Sequence, residues 1–388
     1  EALPYGIPAA DGPVMTRKAW IEAGKPAHVI CRTKERMQWP DGPGVFYLDH
    51  DIPKNGKAPL TRTELIAALE TVCPALAECG LVHWQSSSSL IFNGDTGEMV
   101  RGEVGQRIYF IVENAVDIPA AGERLQTLLW AHGYGHVEIS AAGSLLPRTI
   151  FDASVWQVNR FDFAAGAACM VPLVQRRGAP FVRPGRPVRL LADIPAPTET
   201  EVGQARLALD NAKAAASPKA AGVKEAHIAV MAKRIAGEGA QPDEIRRATE
   251  IALRAVDGGS LAGDFKITVI VDGEPKEFPV LHVIDNAAEF HGADTLDPVE
   301  PDYDRGRPVG RLYLIGSTPR LYSFAHGGRT FRLLRNPAMI EVAVGRESYV
   351  DERVMDAMRL SHSFYEQSGR LIQMDGDEMQ TVTEHSLL

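Results

Sequence analysis

The sequence predicts an α+β protein whose first half folds around a small antiparallel sheet. Between Val45 and Val155, apolar strand-like segments alternate with two amphipathic segments in the order β-α-β-β-α-β. Alanine-rich, charged segments from Thr198 to Val256 are typical of helices. From Asp264 onward, apolar runs separated by Asp-Gly and Gly-Gly pairs predict β-hairpins. The order of elements in the first half is that of an RRM-like or ferredoxin-like fold.

The first helix is indicated by its start and by its apolar face. Thr61 and Glu64 have the spacing of a capping box, in which each side chain bonds the other residue's backbone N–H. A helix ending near Cys79–Gly80 is then predicted by apolar residues at 3.6-residue spacing, namely Leu65, Ile66, Leu69, Val72, Cys73 and Leu76.

The other elements of the first half follow from the same patterns. A second helix, ended by Gly133, is predicted from Leu125, Leu128 and Leu129. Strands are predicted at Val45–Asp51, Leu81–Trp84, Gln106–Val112, Val137–Ser140 and Arg148–Val155.

The second half divides into a helical and a β-rich part. Helices are predicted at Thr198–Ala216, Lys224–Ala236 and Pro242–Val256, and a last one around Asp351–Gln367. Strands are predicted at Lys266–Val271, Phe278–Ile284, Arg311–Ile315, Leu321–Phe324 and Thr330–Leu334, with an edge strand at Leu371–Met374. We therefore expect an α+β domain over 1–195, a small helical domain or linker over 196–258, and a β-rich domain over 259–388.

Composition excludes several classes of protein. The net charge of −9 indicates no general affinity for nucleic acid, so any such surface must be local. The four cysteines form no Cys-x-x-Cys pair, which disfavours a zinc ribbon or disulfide framework and favours a reduced, cytoplasmic protein. The sequence contains no signal peptide, membrane-spanning apolar run or Walker-type loop. Because the chain starts at Glu1 without Met, we expect it to be a trimmed chain or a piece of a longer protein.

The segment Val45–Asp51 ends in two carboxylates, Asp49 and Asp51, spaced i and i+2. On a strand these side chains lie on one face, whereas Leu48 and His50 lie on the other. Adjacent carboxylates repel each other unless a cation lies between them, and Mg²⁺ is commonly held by one or two carboxylates plus substrate phosphates. The pair is consistent with a metal-dependent phosphoryl-transfer site or with a strand that ends in an acidic, solvated turn.

The predicted topology brings other polar residues towards this pair. In a split β-α-β sheet the first strand lies between the third and the fourth. The strand of Asp49 would then lie between the strand of Arg107 and the strand of Asp152. Arg107 would either hold phosphate or form a cross-strand salt bridge, and Ser86–Ser89 would either bind phosphate or form a flexible turn.

The segment 172–198 is rich in Pro and Arg and has two interpretations. It is either an irregular tail with a solvated basic face or a groove for the phosphates of a template or primer.

Over roughly residues 40–190 the chain resembles the archaeo-eukaryotic primase superfamily. The resemblance rests on four segments read together, namely Tyr47–Asp51, the serine run, the strand of Arg107 and Ile150–Asp152. The chain looks more narrowly like the primase–polymerase modules of phages, plasmids and integrated elements. The first motif matches an hhhDhD/E strand, and Ile150–Phe151–Asp152 matches a later hydrophobic-Asp motif. The second motif of this superfamily contains a His that has no match in this chain. Arg107 lies near the position where that His is expected.

The resemblance implies primer synthesis and extension from dNTPs or NTPs on a single-stranded DNA template, with no membrane association. Asp49, Asp51 and Asp152 would hold Mg²⁺ or Mn²⁺. Nucleotide contacts would come from Ser86, Ser87, Ser88, Arg107 and Arg148, and nucleic-acid contacts from Arg160, Arg176, Arg177 and Arg183. Residues 286–335 resemble the segment that joins such a primase to a fused or partner helicase, whose ATPase would lie beyond Leu388. Two alternatives stay open, a non-catalytic replication-initiator DNA-binding module and a metal-dependent nuclease.

Overall fold

A computed structural model describes residues 3–4, 6–8, 12–15, 19–20, 23–31, 33, 36–52, 59–316, 318–335, 364–367, 370–375 and 378–381. The chain has a mixed α+β architecture, which confirms the predicted class. It forms two compact units, one of residues 1–138 and 145–217 and the other of residues 139–144 and 218–388.

The strands and helices of the first half are β1 (Leu3–Pro4), β2 (Ile7–Pro8), β3 (Val14–Met15), β4 (Ile30–Cys31), β5 (Met37–Gln38), β6 (Gly44–Asp51), α1 (Arg62–Val72), β7 (Leu81–Gln85), β8 (Ile91–Asn93), β9 (Met99–Arg101), β10 (Gly105–Val112), α2 (Ile118–Ala131), β11 (Gly135–Ile139), β12 (Leu145–Thr149), β13 (Phe161–Asp162), β14 (Leu173–Gln175), β15 (Phe181–Arg183) and α3 (Leu190–Asp193). Those of the second half are α4 (Glu199–Ala236), α5 (Pro242–Val256), β16 (Ser260–Leu261), β17 (Lys266–Val271), β18 (Glu274–Pro279), α6 (Val280–Asp285), α7 (Ala287–Phe290), β19 (Asp294–Thr295), β20 (Gly310–Tyr313), β21 (Arg320–Ser323), β22 (Arg329–Leu333), β23 (Phe364–Gln367), β24 (Arg370–Asp375) and β25 (Glu378–Thr381).

The main sheet of the first unit has the strand order β15-β7-β10-β6, and each neighbouring pair is antiparallel. Strands β6 and β7 are joined by α1 and are separated by β10, which is the split β-α-β arrangement. Helices α1 and α2 pack on one face of this sheet, where they share one core with Phe46, Leu48, Ile108 and Phe110. The other face is therefore available to carry polar side chains.

The predicted fourth strand was wrong. Residues 145–149 pair with β11 in a separate two-stranded sheet, so β6 is an edge strand rather than a central one. The predicted strand 148–155 ends at Thr149, and residues 153–156 form a 3-10 turn. Trp156 holds that turn against the core, because its ring occupies the space that a side chain at Gly122 of α2 would need. Its Nε1 also donates to the Tyr47 carbonyl at 2.8 Å.

Other boundaries differ for local reasons. Helix α1 ends at Val72, since Pro74 starts a separate 3-10 turn. The two helices predicted between residues 198 and 236 form the single helix α4, which contains Pro218. The alanine-rich composition of α4 favours helix so strongly that the helix continues through that proline.

The second unit contains a seven-stranded sheet with the order β16-β22-β21-β20-β19-β17-β18. Asp272 and Gly273 adopt positive φ in the two-residue turn between β17 and β18. This turn sets β18 at 274–279, so the predicted strand 278–284 was wrong, and residues 280–285 form α6. One face of the sheet packs on α5, α6 and α7, with Ala252, Val283 and Phe290 in the core.

Residues 351–363 of the predicted last helix lie outside the described residues. So do Pro53 and Asn55–Gly56, which belong to the predicted acidic turn after β6. Residues 364–367 form a strand instead of a helix. Strand β24, predicted as an edge, is the central strand between β23 and β25. Within the described part of the chain, no helix combines the length and hydrophobicity needed to cross a bilayer.

The capping box of α1 gives a direct test of local stability. Glu64 N donates to the Thr61 hydroxyl at 3.3 Å, and Thr61 N donates to the Glu64 carboxylate at 2.7 Å. We expect Thr61→Ala to lower the free energy of unfolding of this unit by about 1 kcal/mol. All five tryptophans lie in this unit, so tryptophan fluorescence during chemical denaturation measures its unfolding.

Thr71→Ala is the matched control, because Thr71 is exposed on the same helix and its hydroxyl bonds only the Ala67 carbonyl. We expect this change to be neutral or to stabilise by a few tenths of a kcal/mol, roughly, since Ala has the higher helix propensity. An equal loss in both variants would contradict the capping role.

Candidate active site

The candidate site lies on the sheet face that the helices leave uncovered. Along β6, Phe46, Leu48 and His50 are buried, whereas Asp49 is half-buried and Asp51 is exposed. This alternation places Asp49 and Asp51 on the same face, because side chains two apart on a strand point the same way.

The strand register builds a polar row across this face. Asp49 lies opposite Arg107 of β10, and Arg107 lies opposite Trp84 of β7. In the next row Tyr47 lies opposite Tyr109, and their rings stack with centroids 5.3 Å apart. The sheet therefore presents a carboxylate, a guanidinium and an indole side by side, with two phenol rings behind them.

The carboxyl group of Asp49 is held in an unusual state. Burial and, secondly, the negative charge of Asp51 raise its pKa to about 7. The nearby Arg107 guanidinium and a hydrogen bond from Tyr47 oppose this rise without cancelling it, and the charge of Asp152 adds a small increase. Asp49 is thus a carboxylate that needs additional positive charge to be fully ionised at neutral pH.

Arg107 is held mainly by a residue that sequence reasoning missed. Its Nη1 lies 2.5 Å from Oδ1 of Asp162, whereas its Nε lies 3.7 Å from Oδ1 of Asp49. The Tyr109 hydroxyl donates to Oδ2 of Asp162 at 2.6 Å. Burial and this bond to Asp162 raise the pKa of Tyr109. The guanidinium is therefore fixed beside Asp49 by a buried carboxylate on β13, as a salt bridge within the protein.

Asp152 reaches the end of β6 without belonging to a paired strand. Its backbone N–H donates to the Asp49 carbonyl at 2.9 Å, and His50 Nδ1 donates to the Ile150 carbonyl at 2.7 Å. The Asp152 carboxylate accepts from the N–H and the hydroxyl of Ser154, at 2.9 and 2.7 Å. Both of its oxygens are therefore used to cap the following turn.

The serine run forms a turn against β10. The hydroxyls of Ser86 and Ser89 bond each other at 2.9 Å and are buried, whereas Ser87 and Ser88 are half-buried. A side chain at Gly105 would lie 3.3 Å from the Asp51 carboxylate and 3.5 Å from Cβ of Ser86. The glycine thus allows the serine turn to lie close to Asp51.

The predicted arginines separate into two groups. Arg176 is exposed and lies over the Phe92 ring at 5.1 Å. Arg177 lies over the Trp84 ring at 4.0 Å, but it is buried and donates to the backbone carbonyls of Gln85 and Ala164. Arg183 is ion-paired with Glu70 and also donates to two backbone carbonyls, so Arg177 and Arg183 are structural residues.

Two further predicted arginines make their contacts away from the polar row. Arg148 pairs with Glu138 at 3.5 Å across the β11–β12 ribbon. Arg160 is half-buried, and its backbone N–H bonds the Gln157 carbonyl.

Only some of the predicted metal ligands are suited to a divalent cation. Asp49 and Asp51 fit, because burial beside a like charge is an unfavourable state that a cation relieves. The Asp152 carboxylate does not fit while it caps Ser154. Among the described residues, no group of three or more His, Cys, Asp or Glu side chains is arranged to hold a metal ion. Asp49 and Asp51 are therefore the residues that would hold Mg²⁺ or Mn²⁺.

Tyr47, Trp84 and Tyr109 carried a signal that sequence reasoning did not use. They occupy the same alternate positions as Asp49 and Arg107, so period-2 spacing alone places them on the polar face. Asp162 had no comparable signal, because it lies on a two-residue strand paired with β1.

Comparisons with known proteins add no family to this description. No protein-family model matches the chain, and neither does any curated protein or solved structure.

The Asp162–Arg107 contact predicts a large effect on stability. Asp162→Ala removes the main partner of a guanidinium whose side chain is only 12% exposed. We expect a loss of about 3 kcal/mol in the free energy of unfolding, because the remaining charge stays buried and incompletely paired. Chemical denaturation followed by tryptophan fluorescence measures this loss.

Glu78→Ala is the control for that measurement. Glu78 is 77% exposed and lies 3.5 Å from Arg186 in the same unit. We expect a change below about 0.5 kcal/mol, as for other surface ion pairs. If both variants lost the same stability, burial of the Asp162–Arg107 pair would not be what makes it important to the fold.

The raised pKa of Asp49 predicts how stability varies with pH. The folded chain keeps a proton on Asp49 up to about pH 7, whereas the unfolded chain loses it near the ordinary value of 3.8. Ionisation of Asp49 therefore lowers stability as pH rises between these values. We expect the stability advantage of Asp49→Asn over the native chain to grow by roughly 1–3 kcal/mol between pH 5 and pH 8.

The measurement is chemical denaturation in metal-free buffer at pH 5, 6, 7 and 8. Asp95→Asn, in an exposed turn of the same unit, is the control and should leave the pH profile unchanged. A constant difference between the Asp49→Asn variant and the native chain at all four pH values would contradict the raised pKa.

Proposed function

We propose that the chain is a template-directed nucleotidyltransferase that synthesises and extends DNA or RNA primers on single-stranded DNA. The observation that carries this proposal is the Asp49–Asp51 pair, in which a largely buried carboxyl group with a pKa of about 7 lies beside a second, exposed carboxylate at the end of β6. Such a pair is stabilised by a bound divalent cation and by the triphosphate that accompanies it.

Mg²⁺ or Mn²⁺ bound there would supply activation of the primer 3′-hydroxyl and stabilisation of the leaving pyrophosphate. Asp49 and Asp51 would bind the ions, and Asp152 would join them after releasing Ser154. The half-buried hydroxyls of Ser87 and Ser88 are near enough to the Asp51 end of the sheet to contact triphosphate oxygens.

Of the two roles that the sequence left open for Arg107, its contacts favour the salt bridge over phosphate binding. Because Asp162 and Asp49 already neutralise it, the guanidinium orients Asp49 and limits the negative charge of the face. Trp84, covered on one side by Arg177, would support a base by stacking. Binding and orientation would thus come mainly from this face, as expected where catalysis depends on positioning and charge neutralisation.

A second candidate is a DNA-binding module without catalysis, acting in replication initiation. It is favoured by one observation, that both oxygens of Asp152 are engaged by Ser154. In that case the sheet face and the exposed Arg176 would hold the template, and no nucleotide would be incorporated.

A nucleotide-incorporation assay distinguishes the nucleotidyltransferase from the non-catalytic DNA-binding module. The full chain is incubated with single-stranded DNA, labelled dNTPs or NTPs, and Mg²⁺ or Mn²⁺. We expect Asp49→Asn and Asp51→Asn each to lower incorporation at least about 100-fold, because each removes a carboxylate that would hold the divalent ion acting on the transferring phosphate. Asp95→Asn should retain the native rate.

Metal binding supplies a second measurement. Mn²⁺ titration followed by the electron paramagnetic resonance signal of free Mn²⁺ should show binding to the native chain and weaker binding to Asp49→Asn. If Asp49→Asn and Asp51→Asn both kept the native rate of incorporation, the two carboxylates would be excluded as the catalytic site. Template binding without incorporation by the native chain would favour the non-catalytic module.

A further inference from the structure

A second surface of unusual composition lies on the seven-stranded sheet of the other unit. On β20, β21 and β22 the inward positions are apolar or small apart from Arg329 at the start of β22, and they include Leu312, Leu321 and Phe331. The alternate, outward positions are Arg311, Tyr313, Arg320, Tyr322, Thr330 and Arg332. We call these six residues the Arg–Tyr face.

The Arg–Tyr face has a cross-strand order. Arg311 lies opposite Tyr322, and Tyr313 lies opposite Arg320. Arginine and tyrosine therefore alternate in both directions on these two strands. None of the six outward positions is acidic, in a chain whose net charge is −9. Asp294 on the adjacent β19 is the acidic neighbour, 3.5 Å from Arg311.

Two arginines of this face are placed against each other. Arg320 lies directly opposite Arg332 on β22, and both are exposed. Like charges at directly opposite positions destabilise a sheet. A bound polyanion would offset that cost by lying across both strands.

The rings are held in place rather than dispersed in solvent. The Arg320 guanidinium lies over the Tyr313 ring at 5.5 Å. The Tyr322 ring meets Phe324 edge to face at 4.9 Å, and Phe324 itself is 57% exposed. Gly328, at φ 105°, gives Tyr322 its room, since a side chain there would come within 2.1 Å of the tyrosine oxygen.

From this arrangement we propose that the Arg–Tyr face binds single-stranded nucleic acid. Arg320 and Arg332 would contact successive phosphates, and Tyr313, Tyr322 and Phe324 would stack with bases, whereas Arg311 is held by Asp294 and the Gly292 carbonyl. Positively charged surfaces with exposed rings bind single strands in this way, because the phosphates supply the charge and every base supplies a π face. An acidic peptide would satisfy the arginines and leave the rings unused.

The surface lies entirely within the unit of residues 139–144 and 218–388, and the proposal goes beyond nucleotidyl transfer. It is tested by binding alone, without nucleotides or divalent ions. A failure of this proposal is therefore distinguishable from a failure of the carboxylate site.

The first experiment locates the bound strand. The full chain is photo-crosslinked to a single-stranded oligonucleotide containing 5-iododeoxyuridine, and the crosslinked peptides are identified by mass spectrometry. We expect crosslinks at Tyr313, Tyr322 or Phe324. Crosslinks confined to residues outside 310–333 would overturn the proposal.

The second experiment separates charge from stacking by fluorescence anisotropy with the same oligonucleotide. We expect Arg320→Ala to weaken binding about tenfold and to lower the salt dependence by about one released counterion. Tyr313→Leu should weaken binding about tenfold, whereas Tyr313→Phe should bind like the native chain because it keeps the ring.

Arg246→Ala is the control, since Arg246 is exposed on helix α5 of the same unit. Equal loss from Arg246→Ala and Arg320→Ala would indicate a general charge effect and overturn the proposal. So would equal affinity of the chain for poly-glutamate and for the oligonucleotide, because that result requires no stacking.

Discussion

The buried carboxyl group of Asp49 is the constraint on which the arrangement of the first unit depends. A carboxylate placed in a sheet beside a second carboxylate is unfavourable unless opposite charge is supplied nearby. Arg107 supplies part of that charge, from the opposite position on β10. Arg107 is in turn held by Asp162, so the polar face depends on a salt bridge that lies behind it.

The helices under the sheet make this face possible. Apolar residues of α1 and α2 cover the inner side of β6 and β10, which leaves only the outer side for charged groups. The turn after Asp152 is fixed in the same core by Trp156, whose ring fits against Gly122. Asp152 therefore reaches Asp49 through tertiary packing and one backbone hydrogen bond, although strand pairing would have been the simpler route.

Arginine–aromatic contacts recur in both units and explain how an acidic chain can carry local basic surfaces. In the first unit the exposed Arg176 lies over Phe92, and in the second Arg320 lies over Tyr313. Such contacts hold a guanidinium in place without neutralising it, in contrast to the ion pairs of Arg183 and Arg148. Whether an arginine lies on a ring or against a carboxylate thus decides which arginines stay available to an anionic ligand.

The sequence by itself determined many of the elements and the faces of strands β6 and β10. The capping box at Thr61 and the alternation around Asp49 are local patterns, because helix and strand periodicities act over a few residues. The same periodicity places Asp51 beside Asp49 with no knowledge of the rest of the chain.

Only the tertiary structure decided which groups meet across those faces. Asp162 contacts Arg107 from 55 positions along the chain, on a strand too short to be recognised by pattern. Strand β12 pairs with its neighbour β11 in a separate two-stranded sheet, so the residues after Thr149 meet β6 through single hydrogen bonds from Asp152 and His50 and not through strand pairing. Contacts between distant segments depend on packing and strand pairing, which no short window of sequence contains.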